Sequence, residues 1–324
     1  MTQGFLYLSR ADVEQVNLPM GEVLEAVEAA FLEKGLGRVE MPPKIGIHPT
    51  AVGYLHAMPA QVPSVRATGI KWISNFGENP AHGLPTISGL LILNHPLTGF
   101  PIAVMDATWI TAKRTGAASA IAAKYLARGD AGRLAIIGCG VQGQSHLEAM
   151  RAQFPSIRQV VAYDRRSETL ARYVREMEAL AAVPIASASD CRSAVEGADI
   201  VVTATEILKQ PNPVIRPEWI APGSFCMSID CDAQFTREAI CAMDLLCTDD
   251  VAQVSHYRTM GYFGSTPDPQ AELGDIVAGK RPGRTDPAQR IMALHLGLAT
   301  EDMVTATRVL EQAQARGIGR RLPL

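Results

Sequence analysis

The sequence lacks any excess of basic charge. Its 324 residues carry 30 Lys and Arg against 33 Asp and Glu, a formal net charge of −3. Gripping a nucleic acid backbone requires a surplus of cations, so nucleic acid is excluded as the main partner. Hydrophobic residues make up 47% of the chain and charged residues 19%, which excludes intrinsic disorder. The length predicts about two domains.

Compact cysteine motifs are also missing. The six cysteines show no C-x-x-C spacing and no neighbouring His or Cys ligand pattern, so we expect no metal site. Several lie in apolar runs typical of strands, and we expect all of them to be reduced core residues. They are Cys139, Cys191, Cys226, Cys231, Cys241 and Cys247.

Long apolar runs are absent as well. The longest charge-free stretch, residues 79–105, contains four prolines and is too interrupted for a membrane helix. Met1–Val13 lacks a basic segment followed by an apolar one, so we expect no signal peptide. We therefore expect a cytoplasmic protein with no membrane partner.

Two patterns of apolar residues divide the chain. The first third predicts a helix over 21–36, an antiparallel hairpin of 86–94 and 100–105, and a long helix over 106–128. From residue 133 onwards, short apolar strands alternate with helical segments, which predicts a doubly wound parallel sheet. We expect these strands at 134–137, 160–163, 200–204, 225–229 and 245–247. Residues 249–285 are less regular, and a final helix capped by Thr300 ends at Gly317.

A dinucleotide motif follows the first of these strands. Gly138, Gly140 and Gly143 form G-x-G-x-x-G, and a helix is predicted to begin near Val141 and Gln142. The first glycine permits a tight turn, the second lets a pyrophosphate approach the backbone, and the third lets helix and strand pack closely. The helix N-terminus then offers N–H groups to the phosphates.

The second predicted strand ends at Asp164, 21 residues after Gly143. A carboxylate there accepts hydrogen bonds from the adenosine ribose and repels a 2′-phosphate, which favours NAD over NADP. The adjacent Arg165 leaves NADP open, because an arginine can accept that phosphate. The residues Thr203, Ala204 and Thr205 end the third strand and are expected to line the dinucleotide.

Charged residues in apolar surroundings are candidates for chemistry. Asp230 ends a strand and would face the crevice of the sheet, unless it only caps a turn. Lys71 lies in an apolar strand-like run, and its alternative is a lysine that reaches water from an edge strand. Arg114 lies on the long helix beside small residues, where a plain surface arginine is the alternative. Lys44 and His56 are weaker candidates, with ordinary surface or structural roles as alternatives.

Nine short motifs resemble the ornithine cyclodeaminase/μ-crystallin family and occur in the same order. The resemblance implies a Rossmann domain plus a smaller α+β domain. We expect the smaller domain, for substrate binding and dimerisation, at 1–118 with the final helix at 298–324, and the NAD-binding domain at 119–297. The motifs are Met41-Pro-Pro-Lys44, Ala57-Met-Pro59, Gly69-Ile-Lys71, Gly83-Leu-Pro85, Ala103-Val-Met-Asp106, Ala112-Lys-Arg-Thr-Gly-Ala117, Ala123-Lys-Tyr-Leu-Ala-Arg128, Ile137-Gly-Cys-Gly140 and Gly274-Asp-Ile-Val-Ala-Gly279.

The resemblance also implies roles for single residues. Lys71 matches the catalytic lysine, Arg114 the arginine that holds the α-carboxylate, and Asp230 the catalytic aspartate. Lys44 matches a basic position that faces the substrate. Members of the family act on amino and imino acids, and the resemblance implies a homodimer.

Departures from the family pattern bear on the substrate. His56 replaces the glutamate of the cyclodeaminases, and Cys231-Asp232-Ala233 replaces the usual Pro-Gly-Lys. The stretch Ala293–Gly297 lacks the usual Asp-Ser. These changes argue against ornithine cyclisation. The positive charge of Lys44, Lys71 and Arg114, with His56, suits a dicarboxylate.

We therefore predict NADH-dependent reduction of a 2-imino acid to an L-amino acid. The leading candidate reaction is the reduction of iminosuccinate to L-aspartate. The alternatives are alanine dehydrogenase, a cyclic ketimine reductase, and a redox-neutral ornithine or lysine cyclodeaminase that releases ammonia. A non-catalytic nucleotide-binding protein is a further alternative, but the joint presence of Lys71 and Asp230 speaks against it.

Overall fold

A computed structural model of the chain describes residues 4–50, 53–264 and 266–324. The first three residues of the Met1–Val13 segment, where we expect no signal peptide, lie outside these ranges. The internal contacts divide the chain into two compact units. The first unit comprises the chain up to Arg114 together with Leu298–Leu324, and the second comprises Thr115–Gly297.

The helices and strands are numbered along the chain. Those up to residue 126 are β1 (Gly4–Leu8), α1 (Arg10–Val16), α2 (Met20–Gly35), β2 (Ile45–Ile47), β3 (Tyr54–Val62), β4 (Ala67–Asn75), β5 (Ile87–Asn94), β6 (Pro101–Asp106) and α3 (Thr108–Leu126). The next are β7 (Arg133–Ile137), α4 (Val141–Gln153), β8 (Gln159–Tyr163), α5 (Ser167–Ala181), β9 (Ile185–Ser187), α6 (Cys191–Val195) and β10 (Ile200–Thr203). The last are β11 (Phe225–Ser228), α7 (Arg237–Cys241), β12 (Leu245–Thr248), α8 (Val251–Thr259), β13 (Ala271–Glu272), α9 (Leu273–Val277), β14 (Ile291–Leu294), α10 (Ala299–Arg316) and β15 (Arg320–Pro323).

The first unit is built on a mixed sheet with strand order β15-β1-β6-β5-β4-β3-β2. Strands β2 to β6 pair antiparallel, whereas β1 runs parallel to β6. The predicted hairpin is confirmed as β5 and β6, and its turn places Gly99 at φ +70°, a conformation that favours glycine. The final helix α10 packs on β3, β4 and β5, so both ends of the chain contribute to this unit.

The second unit is built on a parallel sheet with strand order β13-β12-β14-β11-β10-β7-β8-β9. From β7 the chain winds outward through β8 and β9, and from β10 it winds the other way through β11. Because the winding direction changes between β7 and β10, the carboxyl ends of these strands border the crevice in which such sheets bind nucleotides. The predicted doubly wound α/β fold is confirmed.

Some elements differ from the expectations. Strand β14 lies between β11 and β12 with all four residues buried, but so short an apolar run does not distinguish a strand from a helix. Helix α8 occupies part of the region expected to be irregular. The prediction that Thr300 caps α10 is wrong, since the N-cap is Leu298. Leu298 and Ala299 are both buried in the core, and their packing starts the helix before the threonine.

The cysteines are free, as expected, and five of the six are buried. Cys241 is exposed at the end of α7, so its prediction as a core residue is wrong. Within residues 4–50, 53–264 and 266–324, no helix has the length and apolar content to span a membrane.

Candidate active site

Lys71 lies in the middle of the first unit's sheet. Strand β4 pairs with β3 on one side and β5 on the other, which places Lys71 opposite Met58 and Leu91. The side chain is completely buried. It therefore does not reach water from an edge strand, and its charge must be balanced by neighbouring groups.

Two acids of α10 provide this balance. Lys71 Nζ lies 2.7 Å from Asp302 Oδ1 and 3.3 Å from Thr111 Oγ1. Arg114 Nε lies 2.9 Å from the same Asp302 oxygen, and its Nη1 lies 2.7 Å from Glu301 Oε2. We call Lys71, Arg114, Glu301 and Asp302 the charge cluster. All of its side chains are buried.

The other two predicted substrate-facing residues belong to the same unit. Lys44 precedes β2 and is buried, and so is His56 in β3. Since Met58 is opposite Lys71, His56 lies two residues along and on the same face of the sheet. Its ring stacks on Tyr54, with the ring centroids 4.2 Å apart.

The pKa of Lys71 is lowered from 10.5 to about 7, chiefly by burial and further by the positive charges of Arg114 and Lys44. The Asp302 carboxylate opposes this shift through its charge and its hydrogen bond. A bound anion would act in the same direction as Asp302. At neutral pH the protonation state of Lys71 therefore depends on the charged groups beside it.

The sequence did not point to Glu301 or Asp302. Both lie in the first turn of α10, where acidic residues are common because they interact favourably with the helix dipole. Their pairing with Lys71 and Arg114 joins residues up to 231 positions apart. One signal could have indicated them: a lysine in an apolar strand needs an acidic partner when it is buried.

The glycine motif of the second unit has the predicted geometry. Gly138 has φ +97°, and a Cβ there would lie 2.5 Å from the Ala204 carbonyl oxygen. A Cβ on Gly143 would lie 2.2 Å from the Gly138 oxygen. A Cβ on Gly140, by contrast, would meet nothing within 4 Å. Gly140 is the N-cap of α4 and has no side chain to cap the helix. The first helical residues, Val141 and Gln142, therefore begin next to open space.

Asp164 follows β8 and faces this loop. Its Oδ2 accepts a hydrogen bond from Cys139 N and its Oδ1 accepts one from Arg166 N, each at 2.9 Å. A carboxylate oxygen has two acceptor positions, so both oxygens retain capacity for a ribose diol. Arg165 lies 3.2 Å from Glu206, and both side chains are exposed.

Asp230 is completely buried and accepts four hydrogen bonds. Thr203 Oγ1 at 2.7 Å and Ser228 Oγ at 2.9 Å contact its Oδ1. Thr205 contacts its Oδ2 through Oγ1 at 2.6 Å and through N at 3.0 Å. Burial raises the pKa of Asp230, and these hydrogen bonds oppose the rise. The hydroxyls of Thr203 and Thr205, which we expected to line the dinucleotide, are directed at Asp230.

The predicted residues thus fall into two groups, one in each unit. Lys44, His56, Lys71 and Arg114 belong to the first, and the glycine motif, Asp164 and Asp230 belong to the second. The residues present fit an NAD molecule, because bare backbone, an uncapped helix N-terminus and a carboxylate occur at the positions that such a cofactor requires. The described residues contain no group of three His, Cys, Asp or Glu side chains suited to a metal ion.

Comparison with known proteins places the chain among enzymes of amino and imino acids. The family model of the ornithine cyclodeaminase/mu-crystallin family matches residues 6–317. The nodulation efficiency protein NfeD of Rhizobium meliloti is 36% identical over 97% of each chain. The alanine dehydrogenase of Archaeoglobus fulgidus is also 36% identical, over 98% of each chain.

Solved structures agree. The Δ1-pyrroline-2-carboxylate reductase of Thermococcus litoralis, in complex with NADH and L-proline, matches with a TM-score of 0.89 and 32% identity over 98% of this chain and 100% of the other. An archaeal alanine dehydrogenase dimer with bound NAD matches with a TM-score of 0.88 and 33% identity over 99% and 100%. The iminosuccinate reductase of Paracoccus denitrificans, at 22% identity and a TM-score of 0.85 over 99% and 100%, shares the fold. The resemblance seen in the sequence is confirmed, and the chain belongs to the ornithine cyclodeaminase/μ-crystallin family.

Proposed function

We propose that the protein reduces a 2-imino acid to the L-amino acid with NADH. The observation that carries this proposal is the buried cation group of the first unit. Lys44, Lys71 and Arg114 are three cations, whereas Glu301 and Asp302 are two anions. A buried group of cations favours an anionic ligand, and every 2-imino acid carries a carboxylate.

The coarser part of the prediction is confirmed. Relatives of at least 30% identity over nearly the whole chain are named as dehydrogenases and reductases of amino or imino acids, and matching structures contain NAD or NADH. The protein is accordingly an NAD-dependent oxidoreductase.

Arg114 is the proposed anchor of the α-carboxylate. A guanidinium has five N–H donors in a planar fork, so it can bind Glu301 and Asp302 and still donate to a carboxylate. Lys71 and Lys44 would contribute positive charge on the same substrate group. Anchoring the carboxylate fixes the adjacent imino carbon, which receives the hydride that NADH supplies when bound.

Asp230 is the proposed proton-exchanging group. Its raised pKa favours proton uptake. Three of its four hydrogen-bond donors are hydroxyl groups, and a hydroxyl can turn from donor to acceptor. The carboxyl can therefore gain and release a proton without leaving a buried oxygen unpaired, as a general acid for the imine nitrogen requires.

NADH is the proposed cofactor in preference to NADPH. Asp164 faces the loop with its side chain 8% exposed, where its charge would repel a 2′-phosphate. Arg165, which leaves NADP open in the sequence, is paired with Glu206.

The charge balance also bears on the substrate side chain. From the four basic residues alone we predicted a dicarboxylate, but Glu301 and Asp302 leave a smaller surplus. This smaller surplus supports the alternative of a monocarboxylate such as the imine of pyruvate. Iminosuccinate stays a prediction, with His56 as the group for its second carboxylate. His56→Glu should then raise KM for iminosuccinate at least about tenfold more than KM for a monocarboxylate, and equal effects would remove His56 from that role.

A substrate panel tests the proposed function. NADH oxidation would be followed with pyruvate, glyoxylate or oxaloacetate plus ammonia, with a cyclic ketimine, and with preformed iminosuccinate, and again with NADPH. We expect rapid oxidation of NADH with one class of imine and much slower oxidation of NADPH. Absence of oxidation with every compound, together with ammonia release from ornithine or lysine, would replace the reductase by a cyclodeaminase.

We also propose that the protein is a homodimer joined through the outer face of the first unit's sheet. Trp72 and Leu90 are opposite each other on β4 and β5 and are 40% and 49% exposed. Paired apolar side chains at this exposure favour burial against a second copy. Sedimentation should give a dimer for the wild type and a monomer for Trp72→Glu, and a wild-type monomer would refute the proposal.

A further inference from the structure

We propose that Asp302 is a positioning residue that sets the spacing and direction of the two cations holding the substrate carboxylate. This inference rests on the proposed function. Asp302 touches no reacting atom in this scheme and acts through Lys71 and Arg114.

A single oxygen makes both contacts. Asp302 Oδ1 lies 2.7 Å from Lys71 Nζ and 2.9 Å from Arg114 Nε. Two cations that both contact one carboxylate oxygen are confined to a narrow range of separations, although their charges repel each other. Glu301 adds an ion pair to Arg114 through its own carboxylate.

The elements around Asp302 make it the linking group. Lys71 lies on β4, Arg114 on α3 and Asp302 on α10, so the one carboxylate joins a strand and two helices of the first unit. Its side chain is completely buried, where screening by solvent is weak. An uncompensated charge at such a site is strongly destabilising, which keeps the three side chains together.

Asp302 also controls the proton of Lys71. The groups facing Lys71 are Arg114 and Thr111 of α3, Asp302 of α10 and, through its charge, Lys44. Both Arg114 and Lys44 lower the pKa of Lys71, and Asp302 raises it. Loss of the Asp302 charge therefore moves the deprotonation of Lys71 to lower pH, and a neutral lysine binds a carboxylate poorly.

The test compares Asp302→Asn, Asp302→Glu and the control Thr305→Val. Thr305 lies one turn further along α10, is completely buried, and its Oγ1 has no hydrogen-bond partner within the described part of the chain. Valine has nearly the same shape, so this control changes a buried side chain of the same helix without breaking a contact. The measurements are kcat/KM against pH on the imine that the wild type reduces best, and NADH affinity by fluorescence.

We expect Asp302→Asn to lower kcat/KM about a hundredfold, chiefly through KM, and to shift its alkaline decline to lower pH. Asp302→Glu should restore the position of that decline and part of the rate. Thr305→Val should stay within about twofold of the wild type, and NADH affinity should stay within about twofold in all variants. A kcat/KM near the wild-type value for Asp302→Asn, or a fall without a shift of the pH profile, would overturn the proposal.

A measurement without turnover separates this inference from the proposed function. If the wild type reduces no imine of the panel, the proposed function fails. The dependence of the unfolding free energy on pH then tests Asp302 directly. A rise that starts at lower pH in Asp302→Asn than in the wild type supports the contact with Lys71, and superposed profiles refute it.

Discussion

Asp230 is a buried carboxylate whose hydrogen-bond donors are mostly hydroxyl groups. Peptide N–H groups would fix a carboxylate in its ionised form, because they donate only. Hydroxyl groups serve either form, so this arrangement combines burial with the ability to exchange a proton. The alternative, an aspartate that only holds the ends of β10 and β11, predicts little effect on the reaction itself.

Asp230→Asn should lower kcat about a hundredfold or more, because the amide cannot exchange a proton with the imine. KM for the substrate and the affinity for NADH should change much less. Steady-state kinetics and fluorescence titration check both expectations.

Asp232→Asn is the matched control. Asp232 is buried two residues further on and accepts a hydrogen bond from Thr266 at 3.0 Å, but it has no place in the proposed site. Its kcat should stay within about twofold of the wild type. If Asp230→Asn behaves in the same way, Asp230 only caps the strand ends.

At the level of elements, the turn from β7 into α4 contains three glycines, and the physical reason for glycine differs at each position. Gly138 requires a left-handed backbone conformation and Gly143 requires close packing, whereas Gly140 has neither constraint. Its φ of −84° suits any residue. The need for glycine at this position therefore comes from what approaches the loop.

Two alanine substitutions separate these needs. Gly140→Ala should leave the unfolding free energy within about 0.5 kcal/mol of the wild type and lower NADH affinity at least about tenfold. Gly143→Ala should lower the unfolding free energy by about 1–3 kcal/mol, because its Cβ would overlap the Gly138 oxygen. Thermal unfolding and NADH titration measure both effects. Normal NADH affinity in Gly140→Ala would mean that no pyrophosphate lies against this loop.

The elements differ in how well the sequence predicts them. Helix α2, the β5–β6 hairpin and α3 have long apolar patterns or clear turns, and β7, β8, β10, β11 and β12 are short continuous apolar runs. All of these were predicted, whereas β9 was not. Strands β9 and β13 have three and two residues, too few for a pattern to repeat. Strand β14 is as long as β10 to β12, but it follows an irregular segment rich in glycine and proline. Their positions depend on neighbouring strands, which the local sequence does not record.

At the scale of the whole molecule, the first unit combines the chain up to Arg114 with Leu298–Leu324. Its buried ion pairs join these two segments. Lys71 and Arg114 were predictable because charged residues stand out in apolar or small-residue surroundings and match family motifs. Their partners on α10 come from more than 180 residues away. No local sequence pattern predicts a pair so far apart. The cations could therefore be predicted from the sequence, but the acids that bind them could not.

The buried lysine should also affect the stability of the protein. Unfolded Lys71 holds its proton up to about pH 10.5, whereas in the folded protein it loses the proton near pH 7. Between these values the unfolded state binds more protons, so the unfolding free energy should rise with pH there, by at most about 1.4 kcal/mol per pH unit from this residue. Below pH 7 this contribution is constant.

Lys71→Met should reduce that rise. Denaturant unfolding of the wild type and of the variant, repeated across this pH range, gives the difference. Parallel curves for the two proteins would mean that the lysine keeps its proton in the folded state.

Because Asp302 follows Lys71 by 231 positions and Glu301 follows Arg114 by 187, a ribosome synthesises the two acids long after the two cations. At roughly 5–20 residues per second, more than ten seconds separate the lysine from its acidic partner. The continuous second unit emerges complete before the first can close. A chain whose synthesis stops before α10 then contains Lys71 and Arg114 without the acids of that helix, a product suited to capture by chaperones and proteases. Assembly of this site is thereby linked to synthesis of α10.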